Sequence, residues 1–222
     1  MKQLDFKHRF IPSSLQKPIE DSYNKNKKSK PLTLLLLHGT GGNEDDLIPV
    51  GQMICPSAFL LSPRGKILEN GMPRFFKRIA EGVFDIEDLK FRTKELANFV
   101  KDASNIYNFD LDNSIAVGFS NGANIATSLL LSYPEILLGA ILFRSMVPFI
   151  PNKPIDLSGK KVLLSAGKFD PIVSEKNAQD LFQILKKSRA DVTLNWQQSG
   201  HNLIEKDITD SQNWISQNIT NL

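Results

Sequence analysis

The stretch Ser114-Ile115-Ala116-Val117-Gly118-Phe119-Ser120-Asn121-Gly122-Ala123-Asn124 decides the reading of this chain. Residues 114–117 are a strand-sized apolar run, and 121–131 read as a helix. Between them stands Gly118-Phe119-Ser120-Asn121-Gly122, the pattern G-x-S-x-G. A strand that passes straight into a helix has to turn sharply, and small residues two before and two after the serine relieve the crowding. The turn lifts the serine hydroxyl above the sheet edge and leaves it at a helix N-terminus, where negative charge is favoured. Three fixed positions recur by chance, so the weight of the motif comes from the strand before it and the helix after it.

Outward from this turn the chain repeats the same alternation. Short apolar runs at 32–37, 58–61, 114–117, 140–143, 161–165 and 192–196 mostly lack polar alternation, as strands buried on both faces do. Between them, 43–54, 85–106, 121–131, 174–187 and 203–219 have helical character. Strand–helix alternation of this kind predicts an α/β fold, a mostly parallel central sheet with helices on both faces. Residues 4–11 read as an edge strand, 24–31 as a lysine-rich solvated loop, and 62–84 as a long unstructured interval.

Composition narrows the function. The chain has 222 residues, a net charge of +3 and 41% apolar residues. That charge is too small to suggest nucleic-acid binding. The one cysteine excludes an internal disulfide, and three histidines leave little for a metal cluster. No cofactor is expected. The start of the chain lacks an apolar leader, and the longest fully apolar run, 34–37, falls far short of the ~20 residues of a membrane helix. The expectation is a cytoplasmic protein without membrane insertion.

In an open parallel sheet, chemistry gathers at the carboxyl ends of the strands. Ser120 needs a base, and His201 follows the last strand in Ser199-Gly200-His201-Asn202. Asp170 follows the strand at 161–165, in Gly167-Lys168-Phe169-Asp170-Pro171, and is placed to orient the imidazole. It also reads as a turn aspartate before proline. Asp191 precedes a strand and belongs at the opposite edge. His38 suits a structural hydrogen bond, and His8 a surface role. The order Ser120, Asp170, His201 is that of the α/β-hydrolases. For a developing oxyanion, the backbone N–H groups of Asn121 and of Thr40 are the candidate donors, Thr40 lying in the glycine-rich loop His38-Gly39-Thr40-Gly41-Gly42 with Gly39 as its fallback. That loop lacks the register of a nucleotide-binding motif.

These segments together resemble the α/β-hydrolase superfamily, and within it the phospholipase/carboxylesterase (acyl-protein thioesterase-like) family and dienelactone-hydrolase-like relatives. The resemblance covers most of the chain from Leu32 onward and extends to small bacterial carboxylesterases. It implies a single α/β-hydrolase domain over 1–222, with Ser120, Asp170 and His201 as the catalytic set and Thr40 and Asn121 as backbone donors. It also implies a small-molecule ester as substrate, and it is compatible with a homodimer. Two departures stand out. Dienelactone hydrolases proper carry a cysteine where this chain has Ser120, and many thioesterase-like members have glutamine where it has Asn121.

The interval 144–160 holds three prolines and is too short for a cap domain. The expected wall of the pocket is the interval 62–84, through Phe75 and Phe76, together with Met146 and Val147, around an uncapped apolar cleft. The leading reading is a carboxylesterase for small esters. A thioesterase or lysophospholipase would use the same residues, and a non-catalytic ligand-binding protein on the fold is the alternative of another class.

Overall fold

The computed structural model describes residues 4–13, 30–153 and 155–219. The lysine-rich loop read at 24–31 lies outside the described residues up to position 29.

The strands are β1 (His8–Ile11), β2 (Thr33–Leu37), β3 (Phe59–Pro63), β4 (Ile67–Glu69), β5 (Met72–Arg74), β6 (Arg78–Ala80), β7 (Val83–Phe84), β8 (Ser114–Phe119), β9 (Gly139–Phe143), β10 (Lys161–Gly167) and β11 (Asp191–Gln197). The helices are α1 (Ile48–Ile54), α2 (Ile86–Tyr107), α3 (Asn121–Ser132), α4 (Glu175–Lys187) and α5 (Glu205–Asn218). Seven strands form the central sheet in the order β1-β3-β2-β8-β9-β10-β11. All neighbours are parallel except β1, which pairs antiparallel with β3 at one edge.

The unbroken apolar runs are explained by burial on both faces. Along β2, Leu34 and Leu36 enter the layer that also holds Trp214 and Ile215 of α5, while Leu35 and Leu37 enter the layer holding Leu96 and Val100 of α2 and Leu129 of α3. Every residue of β2 is buried, as is every residue of β9. Successive side chains on a strand point to opposite faces, so a run with no polar partner must be covered twice.

Two expectations are corrected. Residues 43–54 do not form one helix: α1 starts at Ile48, with Pro49 in its first turn. Asn43 instead accepts the N–H of Asp45 at 2.7 Å in a local turn, the competing use of an Asx side chain. Nor is 62–84 unstructured. It builds two short antiparallel ribbons, β4–β5 and β6–β7. The first turns through Asn70 and Gly71, both at positive φ (52° and 79°), as a tight hairpin requires. The described residues of 144–160 add no cap. Among the described residues, no helix is long and apolar enough to cross a membrane.

Candidate active site

Ser120 sits where β8 meets α3, at φ 52° and ψ −115°. This is a costly conformation for a residue with a Cβ. It is held there by its own N–H, which donates to the Phe143 carbonyl on β9 at 2.9 Å. The flanking glycines are required by contact. A Cβ on Gly122 would lie 1.9 Å from the Leu37 carbonyl oxygen, and one on Gly118 would lie 2.6 Å from the Ala123 Cα.

The loops after β10 and β11 bring Asp170 and His201 to this turn. Ser120 Oγ lies 2.8 Å from His201 Nε2, and His201 Nδ1 lies 2.8 Å from Asp170 Oδ2. A carboxylate accepts only, so Nδ1 carries the proton toward Asp170. Nε2 is then the acceptor for the serine hydroxyl. The Asp170 side chain is fully buried and His201 is about one-fifth exposed, at 20%. Asp170 Oδ1 also accepts the N–H groups of Ile172 and Val173, at 2.8 and 3.0 Å. The aspartate therefore orders its own turn with one oxygen and the imidazole with the other.

The other candidates fall elsewhere. Asp191 opens β11 at the opposite edge and pairs with Lys161 at 3.4 Å. His38 is buried: its Nδ1 donates to the Gly39 carbonyl at 2.6 Å and its Nε2 accepts the Gly65 N–H at 2.9 Å. Burial lowers its pKa, opposed by the Gly39 hydrogen bond and nearby carboxylates. His8 donates to the Phe6 carbonyl and contacts Tyr107 Oη, both at 2.7 Å.

The cleft at Ser120 encloses about 320 Å³ and is bounded by Thr40, Asn121, His201, Phe84, Phe119 and Met146 among others. Asn121 is the first residue of α3, so its N–H has no intrahelical acceptor. Thr40 lies in the loop after β2. That loop is tied to β5 by Gly41 N–H to the Pro73 carbonyl (2.9 Å) and by Arg74 Nη1 to Thr40 Oγ1 (2.7 Å). Asn121 is tied to the same excursion, its Oδ1 accepting the Phe75 N–H at 2.7 Å.

The wall of the cleft differs from the sequence reading. Phe75 and Phe76 are 2% and 0% exposed and belong to the core, Phe75 against His38 and Phe76 edge-on to Phe84. Val147 packs on the same core. Only Met146 of the four lines the cleft, and the excursion contributes Arg74, Arg78, Glu81, Gly82 and Phe84 instead. The wall is therefore partly charged. Phe75 and Phe76 enter the core, while Arg74, Arg78 and Glu81 border the opening.

Sequence reasoning also missed Arg144, which follows β9. Its side chain is fully buried, and it donates to the Gly200 carbonyl (3.1 Å), Ser199 Oγ (2.9 Å) and the Asn202 carbonyl (2.8 Å), on both sides of His201. Among the described residues, no cluster of three or more His, Cys, Asp or Glu could hold a metal ion.

A mostly parallel sheet flanked by helices, with a sharp strand-to-helix turn presenting a serine, defines an α/β-hydrolase. The chain belongs to the phospholipase/carboxylesterase family, whose sequence profile it matches over residues 19–219. It is 47% identical over 186 residues to MhqD of Bacillus subtilis (strain 168), which is named as a hydrolase, covering 84% of this chain and 93% of that one. The crystal structure of a Bacillus cereus carboxylesterase superimposes with a TM-score of 0.88 at 44% identity, over 97% of this chain and 95% of the other. A Mesorhizobium loti carboxylesterase follows at TM-score 0.81 and 31% identity, over 85% and 90% of the two chains. The protein is an ester hydrolase.

Proposed function

We propose that the protein is a serine carboxylesterase that cleaves small esters through an acyl-enzyme on Ser120. His201 Nε2 takes the hydroxyl proton as Oγ adds to the ester carbonyl. The N–H groups of Thr40 and Asn121 hold the resulting oxyanion, Gly39 standing in for Thr40 if the loop shifts. Collapse breaks the C–O bond, and His201 returns its proton to the departing alcohol. The same imidazole then activates a water that releases the acid and restores Ser120. Asp170 holds the imidazole in the tautomer that accepts from serine and favours the imidazolium that forms. The unbroken hydrogen-bond chain of 2.8 Å and 2.8 Å from Ser120 through His201 to Asp170 carries this reading. The uncapped cleft of about 320 Å³ suits small substrates.

The test is Ser120→Ala with a fluorophosphonate probe. The variant should fold, lose labelling, and lose on the order of 10⁴-fold or more in kcat on p-nitrophenyl acetate. Hydrolysis close to wild type would overturn the proposal. Comparing kcat/KM on short p-nitrophenyl esters and acyl thioesters ranks the leaving group.

A further inference from the structure

The excursion between β3 and α2 places two guanidinium groups in the wall of the Ser120 cleft, Arg74 and Arg78. They share one carboxylate: Glu69 accepts from Arg78 Nε at 2.9 Å and from Arg74 Nη1 at 3.3 Å. The Arg78 hydrogen bond holds the Glu69 pKa below its ordinary value, so the carboxylate stays ionised.

Arg74 is nine-tenths and more buried, its side chain 4% exposed. Its Nε donates to the Phe76 carbonyl at 3.2 Å and its Nη1 to Thr40 and Glu69. Its Nη2, and both terminal nitrogens of Arg78, have no acceptor among the described residues. Glu81 lines the same cleft from the exposed β6–β7 turn, and neither guanidinium pairs with it. A neutral ester whose carbonyl faces Ser120 offers these donors only weak acceptors in exchange for the water it displaces, which favours a substrate carrying a stronger one. A planar carboxylate matches the guanidinium fork.

We propose that the ester cleaved here carries a carboxylate, bound by Arg78 and by Arg74 Nη2 while its carbonyl faces Ser120. The inference rests on the serine-esterase reading.

Two matched substrate pairs test it. The first is mono-p-nitrophenyl adipate against p-nitrophenyl hexanoate, with the carboxylate on the acyl side. The second is 4-acetoxybenzoate against 4-acetoxybenzamide, with the carboxylate on the leaving group. In at least one pair, wild type should prefer the anion by about tenfold or more in kcat/KM. Arg78→Ala should lower that anion-to-neutral ratio by about tenfold, Arg78→Lys by less, and salt should narrow it. Arg78 is partly exposed, so its variants should fold. A wild-type ratio near one in both pairs, with Ser120 still labelled by fluorophosphonate, overturns this inference alone. So does a preference that survives Arg78→Ala. Absent turnover together with absent labelling overturns the esterase reading and this one with it.

Discussion

Arg144 and Asp207 meet end to end inside the protein, Nη1 to Oδ1 at 2.9 Å and Nη2 to Oδ2 at 2.8 Å, with neither side chain reaching solvent. The pair joins the end of β9 to the first turn of α5. Asp207 also accepts from Ser165 Oγ (2.6 Å) and from the Ile204 N–H (2.9 Å). The remaining donors of Arg144 reach Ser165 and grip Ser199, Gly200 and Asn202. His201 is thus suspended from a buried charge.

This arrangement separates stability from positioning. Arg144→Met strands the Asp207 carboxylate and should cost about 3–5 kcal/mol in urea denaturation. The double variant Arg144→Met/Asp207→Leu removes both charges and should regain most of that loss. It still leaves the Gly200 and Asn202 carbonyls without their donor, so kcat should remain down by roughly 10²-fold. Full kcat in the double variant would show that the guanidinium does not position His201.

Ser120 is held at φ 52°. Relief of such strain is worth about 1–3 kcal/mol, less about 0.5–1 kcal/mol for the added freedom of glycine in the unfolded chain. Ser120→Gly should therefore raise the unfolding free energy by about 1 kcal/mol while abolishing turnover. A loss of stability would show that the turn is not strained.

The two aspartates near strand ends should behave oppositely. Asp170→Asn presents an amide to His201 Nδ1 and favours the wrong tautomer, lowering kcat/KM by on the order of 10⁴-fold. Asp191→Asn alters only an exposed pair with Lys161 and should leave the rate within about twofold. Reversed effects would contradict the site.

Acid stability should depend on Glu44, buried beside Arg64 and Lys7. Burial by itself would raise its pKa. Hydrogen bonds from its own backbone N–H, Arg64 and Lys7 outweigh that and bring it down to about 2 from 4.5. The folded value lies below the unfolded one, so the stabilisation is complete above pH 4.5 and is lost as pH falls toward 2. Glu44→Gln should abolish a slope on the order of 2 kcal/mol across that window, read from urea midpoints. An unchanged slope would assign acid unfolding to other carboxylates.

The central sheet was legible because burial on two faces leaves an unbroken apolar signature, as in Leu34-Leu35-Leu36-Leu37. Ser120, Asp170 and His201 were legible because each follows a strand, and the strand ends share one edge. The excursion at 62–84 was not, since its strands of two or three residues are too short for periodicity to register. The Asn70-Gly71 pair was the available signal, a common dipeptide of tight hairpins. Phe75 and Phe76 follow β5 and enter the core, while Arg74 and Arg78 line the cleft. Arg144 gave no signal at all. Its partner lies 63 residues away, and near the start of a helix Asp207 reads as an ordinary dipole or capping residue.

The β4–β5 ribbon meets the sheet-borne machinery chiefly through main-chain groups, the Pro73 carbonyl against Gly41 and the Phe75 N–H against Asn121. On the ribbon's side such contacts are indifferent to side-chain identity. Selectivity at the mouth can therefore drift among descendants of this chain, one hairpin side chain at a time, while the reacting serine keeps its setting. The exceptions are Arg74, whose guanidinium is itself one of the ties through Thr40, and residue 73, where a change of backbone would loosen the loop beneath it.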